Sequence, residues 1–393
     1  MTIAEIINNE SARAQAFPVV GERIFFGHAA VAPLPQVSVD AIAEYCHRGA
    51  RDMQETAWTT KVVADTRKEA AALINCDADE IALLGPTALG LSMVANGIDW
   101  QPGDEVVHYS DDYPSNVYPW TSLDRLGVRA VSVVPEMPGV ITWETVERSL
   151  STKTRLVSLA TCGFLTGYRI DFDTIGRNLQ ERDIRFCLDG IQTVGAFPIS
   201  MEYVDFLSAD SHKWMLGPAG AGIVYVRRER FAELRSTLLG AWNVESPEFV
   251  AQESIAFPET AVRYEPGTPN FPGIAGMCAS FRLLREVGIG NIGQRLLELR
   301  KALLEMLRPM GYRLYLEEWD TGSDATDDAR SAIVTVFHPD KDMADVGAYL
   351  LANGVRISAR QNRAGQRFVR FSPHFYNTEA EIDQIGRLLA EVP

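Results

Sequence analysis

The sequence is poor in features that would commit it to several kinds of function. Its five cysteines stand singly at Cys46, Cys76, Cys162, Cys187 and Cys278, an odd number with no C-x-x-C spacing. That pattern speaks against a disulfide framework and for a reduced, cytoplasmic setting. Basic residues are in deficit: 37 Lys and Arg against 52 Asp and Glu give a net charge of -15. So acidic a chain is a poor partner for nucleic acid or for an anionic membrane surface. No apolar run approaches the ~20 residues of a membrane-spanning helix. The opening "MTIAEIINNE" lacks the basic-then-apolar order of a secretory leader, and none is expected. The six histidines show no paired ligand spacing, so no metal site is expected either. None of this opposes one small anionic ligand in a local basic site.

What is present reads as a large enzyme-like globule. With 393 residues, 46% of them hydrophobic and 23% charged, the composition is ordinary and the length suffices for a large core. From about residue 80 to 230, short β-rich runs alternate with helical stretches. The runs are 80–85, 105–110, 129–135, 154–161, 184–190, 205–209 and 221–227; "TWETVERSL" and "DTIGRNLQER" are among the helical patterns. Strands apolar throughout, separated by amphipathic helices, predict an α/β fold with a mostly parallel sheet covered on both faces. Ligands of such sheets bind at the C-terminal ends of the strands. Beyond "PGTPNFPG" the pattern turns α+β, predicting a smaller second domain. The expected division is an N-terminal arm (1–24), a large domain (25–269) and a small domain (270–393). The polar run "DTGSDATDDARS" (320–331) reads as an exposed loop.

Four features fall at predicted strand ends. In "LLGPTALGLSMVANG", Thr87 and Ala88 open a helix whose free N–H groups suit a phosphate, although on this segment alone an ordinary cap by Thr87 is the more common arrangement. In "HYSDDYPSNVYPW", Tyr113 could stack on a flat ring or simply pack with Trp120. In "FCLDGIQTVGA", Asp189 ends an apolar strand, where a buried carboxylate needs a helix terminus or a cationic partner. Gln192 follows three residues later. In "DFLSADSHKWMLGPAGAGIVYV", Lys213 lies between an apolar run and a glycine-rich turn. A desolvated lysine there can lose its proton and act as an amine nucleophile.

This constellation resembles the class V aminotransferases, fold type I enzymes dependent on pyridoxal 5'-phosphate, a group that includes cysteine desulfurases and isopenicillin epimerase. The resemblance runs through "FFGHAAVAPLP", "PTALGLSMVA", "YPSNVYPW", "LDGIQTVG", "DSHKWMLGPAGAG", "EPGTPN" and "VRFSPHFYNTEAEID", in that order. It implies a seven-stranded, mostly parallel sheet and a homodimer sharing its sites. It further implies that Lys213 forms the Schiff base with the cofactor and that Asp189 pairs with its ring nitrogen, making the ring an electron sink. Tyr113 would stack on the ring and Gln192 approach its phenolic oxygen. Thr87, the Ala88 backbone, Asp210 and His212 would hold the phosphate, with Thr268 added from a second subunit. Arg370 would receive the carboxylate of an amino-acid-like substrate, a task suited to a guanidinium, with His28 and Arg360 on the same side.

The resemblance leaves the reaction open among transamination, elimination and epimerisation, with a non-catalytic cofactor-binding scaffold as the outside reading. One branch is disfavoured: the desulfurases carry a mobile catalytic cysteine just before the C-terminal signature, and "SARQNRAGQRFVRFSP" has none. Cys162 lies at a strand end but reads more simply as a small buried hydrophobe. A second departure is "TCGFLTGY", where Gly163 and Phe164 stand near positions usually held by Asn or Gln. That change removes a cofactor contact or reshapes the pocket for a larger substrate.

Overall fold

A computed structural model describes residues 2–392. The first strand, β1 (Ile24–Phe25), joins a small peripheral pair. The next seven form the central sheet: β2 (Ile81–Ala82), β3 (Glu105–His108), β4 (Arg129–Ser132), β5 (Thr154–Ala160), β6 (Arg185–Asp189), β7 (Phe206–Asp210) and β8 (Gly222–Val226). Their order is β2-β8-β7-β6-β5-β3-β4. The pairs β4/β3, β3/β5, β5/β6 and β6/β7 are parallel, whereas β8 runs antiparallel to both β7 and β2. The architecture is therefore the mostly parallel sheet of fold type I that the sequence predicts.

The central strands are apolar at successive positions because both faces are covered. Every residue of β3, β7 and β8 is buried. On one face the helix Thr87–Gly97 lies against β7 and β8. Elsewhere Phe172–Gln180 turns Ile175 and Leu179 inward; its first turn is capped by Asp171, which accepts from the Thr174 N–H at 2.9 Å, a contact worth ~1 kcal/mol. The edge strand β2 is shorter than its apolar run suggests. After Ala82 the Leu83 N–H leaves the ladder and donates instead to Glu265 Oε1 at 2.6 Å, so the chain peels away towards Pro86.

Five further strands follow: β9 (Arg313–Leu314), β10 (Val334–Phe337), β11 (Val355–Arg356), β12 (Ser358–Gln361) and β13 (Arg367–Phe371). Four of them make an antiparallel sheet in the order β12-β13-β10-β9. The helices Ile289–Leu307, Met343–Ala352 and Glu379–Glu391 close a core around Leu303, Val336, Val346, Val369 and Ile385. β1 pairs in parallel with β11, and Gly27 bridges to Ser372. The segment 24–28 is thereby fastened to the C-terminal layer.

Most of 320–331 is exposed, as expected of a polar loop, but Asp320 is buried. Its carboxylate accepts from Arg300 and Arg308 at 2.8 Å and from Arg330 at 3.1 Å. A buried carboxylate survives only when partnered so, and two of those three partners, Arg300 and Arg308, lie outside the local run. No helix among the described residues is long and apolar enough to cross a membrane.

Candidate active site

The C-terminal ends of β5, β6 and β7 lie side by side, with Ala160 opposite Asp189 and Asp189 opposite Ser208. A cavity of about 350 Å³ opens above them. Its lining brings together Thr87, Ala88, Tyr113, Asp189, Gln192, His212, Lys213, Arg360 and Arg370. These residues come from widely separated parts of the chain.

Lys213 sits just beyond the end of β7, in a turn closed by the Leu216 N–H on the Lys213 carbonyl at 3.1 Å. Its Nζ lies 5.4 Å from the centroid of the Tyr113 ring. Burial lowers the amine to about 8; Asp189 opposes that shift, and the positive charges of Arg370 and Arg360 add to it. Asp189 is buried, and its carboxylate accepts from the Ile191 N–H at 3.1 Å. Among the described residues no other hydrogen bond reaches that side chain. Burial raises its pKa, while Lys213 draws it down. A buried carboxylate with one neutral donor is short of partners.

Asp210 anchors the turn without lining the cavity. Its Oδ1 faces His212 Nδ1 at 2.6 Å and its Oδ2 accepts from the Gly220 N–H at 3.1 Å. Gly220 has φ +76°, a left-handed conformation that costs glycine little. The Asp210 N–H donates to Thr87 Oγ1 at 2.8 Å, tying the end of β7 to the start of the helix Thr87–Gly97. Thr87 thus holds strand and helix together; it makes no side-chain cap to its own helix, nor does Pro86 before it. Gln192 is nearly committed: Nε2 donates to the Ala29 carbonyl at 3.1 Å and Oε1 accepts from Trp214 Nε1 at 2.8 Å. One Nε2 hydrogen remains for a ligand.

Two arginines face the cavity without an acidic partner. Arg370 on β13 is 1% exposed; it donates from Nη1 to the Phe164 carbonyl and from Nη2 to Ser358 Oγ at 3.5 Å, while its Nε is buried and unbonded. Burial and the neighbouring Arg360 push its pKa down to about 9. Arg360 also has a buried, unbonded Nε. A guanidinium withdrawn from water without a counter-charge is costly, so an anion beside the pair would be favourable.

Two expected residues lie elsewhere. His28 does not line this cavity. It is fully buried, with Nε2 2.6 Å from Tyr376 Oη and Nδ1 2.9 Å from the Ser372 carbonyl. The bridge between Gly27 and Ser372 turns it towards the C-terminal motif, where burial lowers its pKa and favours the neutral ring. Thr268 is exposed and lines a separate hollow of about 260 Å³ beside Gly85 and Gly220–Gly222. Cys162 does not line the cavity either; it is buried, and desolvation pushes its thiol up to about 11. Phe164, expected from the sequence to alter the pocket, lines the cavity, and so do Ala29, Ala30, Val31, Ser115 and Ile191, which the sequence had not marked as ligand-facing. Only the position of "HAAV" within a longer motif pointed to Ala29, Ala30 and Val31.

Residues 24–385 match the family Aminotransferase class-V. A probable cysteine desulfurase of Pyrococcus abyssi is 26% identical over 395 residues, covering 95% of each chain. The apo cysteine desulfurase of Thermococcus onnurineus NA1 superposes with a TM-score of 0.87 at 24% identity, over 100% of this chain and 98% of the other. The cystine C–S lyase C-DES, solved with its product cysteine persulfide, gives 0.85 at 21% identity, over 96% and 99%. With the match spanning nearly its whole length, this chain belongs to the aminotransferase class-V family and is a pyridoxal-phosphate-dependent enzyme of fold type I.

Proposed function

We propose that the protein transforms an α-amino acid, with Lys213 as both the residue bonded to the cofactor and the base that moves the α-proton. The observation that carries this is the Lys213 amine: buried, lowered to about 8, and facing Tyr113. The cavity fits pyridoxal 5'-phosphate by the chemistry of its donors. Asp189, short of partners, suits a protonated ring nitrogen, and Tyr113 offers a ring face. Thr87, the Ala88 N–H and His212 suit a phosphate at a helix start, with Asp210 fixing His212. The free Nε2 hydrogen of Gln192 suits the phenolic oxygen. When bound, the cofactor supplies an electron sink for a carbanion at the substrate α-carbon.

The chain's own residues do the rest. Arg370 and Arg360 take the substrate carboxylate, for which a planar guanidinium is matched. That contact fixes the α-carbon relative to Lys213, whose Nζ receives the proton as a general base poised near neutral pH. Transamination is the reading we place first, with Lys213 returning the proton to a different atom. β-Elimination is the second reading, favoured because it needs no enzyme thiol and because C-DES is a cystine C–S lyase. Desulfuration through an enzyme thiol is disfavoured: residues 358–373 contain no cysteine, and Cys162 is buried with a raised pKa.

The test is a panel of amino acids added to the holoenzyme. Loss of the visible cofactor band with one keto acid formed per site indicates transamination. Continuous keto-acid release with the band retained indicates elimination, and change of stereochemistry alone indicates epimerisation. A Lys213→Ala protein with undiminished turnover would sink the proposal. We further propose a homodimer in which Thr268 completes the phosphate site of a second copy. It is motivated by the exposed Thr268 and by exposed apolar side chains at Leu239, Phe249, Val250 and Ile255 in the same stretch of chain.

A further inference from the structure

The catalytic cavity has a larger neighbour. A second cavity, of about 440 Å³, lies on the other side of Phe164, which alone among the described residues lines both. Its walls are mainly apolar and aromatic, from Tyr109, Ile141, Leu165, Ile170 and Tyr315. Its roof is the turn between β12 and β13, residues 361–364. Arg363 straps that turn to the large sheet, donating to the Ser110 carbonyl at 2.6 Å and pairing with Asp111 at 2.5 Å.

One polar group in this cavity stands without a counter-charge. Asp112 accepts from the Tyr113 N–H at 2.7 Å and from Asn116 Nδ2 at 2.9 Å, both neutral donors. Burial and the nearby Asp189 charge push its carboxyl up to about 7, so a cation or strong donor beside it would be favourable. Asp111, by contrast, already has Arg363.

The two cavities are mechanically coupled. The Phe164 carbonyl is the acceptor for Arg370 Nη1, and the Phe164 ring meets Tyr113 edge-on at 5.5 Å. Arg370 and Phe164 line the same cavity, so a long side chain of a substrate whose carboxylate sits on Arg370 would have to pass Phe164 to enter the second cavity. A largely apolar hollow with a few convergent polar groups is the usual form of a side-chain subsite, and among the charged side chains that line this one Asp111 and Arg363 pair with each other while Asp112 has no counter-charge.

We propose that this second cavity is the substrate's side-chain subsite. It takes an α-amino acid whose side chain is long, largely apolar or aromatic, and tipped with a cation or N–H donor that Asp112 receives. The inference rests on Lys213 and Arg370 acting as described above, and the experiment separates the two.

Holoenzyme is titrated with alanine, norleucine, tryptophan and arginine, reading the shift of the cofactor's visible band. Arginine and tryptophan are expected to half-saturate at concentrations at least tenfold below alanine. Ala364→Trp, at an exposed turn position that lines only the second cavity, is expected to weaken arginine and tryptophan at least tenfold and alanine by less than twofold. Asp112→Asn is expected to abolish the advantage of arginine over norleucine. Equal half-saturation by all four amino acids, or equal weakening of all by Ala364→Trp, overturns the subsite while leaving Lys213 and Arg370 in place. No spectral response to any of them overturns the reading of Lys213 and Arg370, and the subsite with it.

Discussion

The state of the Lys213 amine can be tested without any substrate. In the apo-protein, burial and two cations lower it to about 8 from an ordinary 10.5. At pH 7.5 that leaves roughly one molecule in four with a free amine, against about one in a thousand for a solvated lysine, a difference of ~200-fold. Substituting Arg370→Gln removes one of the two cations while keeping a donor for the Phe164 carbonyl. Arg370, lowered only to about 9, is still charged at pH 7.5, so its loss is a real loss of charge. At an effective permittivity of ~20, a like charge in the same cavity contributes on the order of 1–2 kcal/mol by Coulomb's law, or about one pKa unit. The Lys213 midpoint should therefore rise to near 9, and the free amine at pH 7.5 should fall roughly eightfold. The assay is acylation of the apo-protein across pH 6–11, followed by mass spectrometry of the peptide holding Lys213. A wild-type midpoint near 10, or a midpoint in Arg370→Gln that stays put or falls, refutes the electrostatic account of the site.

Other expectations follow from packing and assembly. In Gly90→Ala the new methyl would lie 2.3 Å from Ser208 Oγ and 2.6 Å from Val224 Cγ2. The helix Thr87–Gly97 must then lift off β7 and β8, and denaturant titration should show a loss of about 1–3 kcal/mol. Because the same helix begins at Thr87, phosphate affinity should fall with it; unchanged stability and affinity would mean that the helix start is not held by this contact. Sedimentation should find a dimer, with Thr268→Ala weakening cofactor binding. A fully active monomer would remove the basis for a shared site.

Much of the architecture was legible in the sequence because it depends on local periodicity. Six of the seven strands of the central sheet fall inside the apolar runs, because a strand covered on both faces is apolar at consecutive positions; β7 extends one residue past its run, to the buried Asp210. The runs overstate β2, whose ladder ends where Leu83 turns to Glu265, a partner 182 residues away. The positions of Asp189 and Lys213 at strand ends were legible for the same reason, and parallel pairing places those ends on one edge.

Other features depended on contacts between distant segments. His28 belongs to a motif beside the site, yet pairing of the 24–28 segment with residues 355–372 directs it away from Lys213. The commitment of Gln192 to Ala29 and Trp214 joins three segments and has no local signature. Nor does the second cavity, which exists only because the β12–β13 turn is strapped over the ends of β3 and β5 by Arg363.

Taken alone, the sequence determined which residue types stand at the ends of which strands, because that follows from short-range pattern and from likeness to known motifs. Tertiary structure decided which of those residues share a cavity, how far burial and neighbouring charges move their proton affinities, and that Phe164 divides two cavities. Those properties are set by through-space distances of a few ångströms between residues far apart in the chain, and no local pattern encodes them.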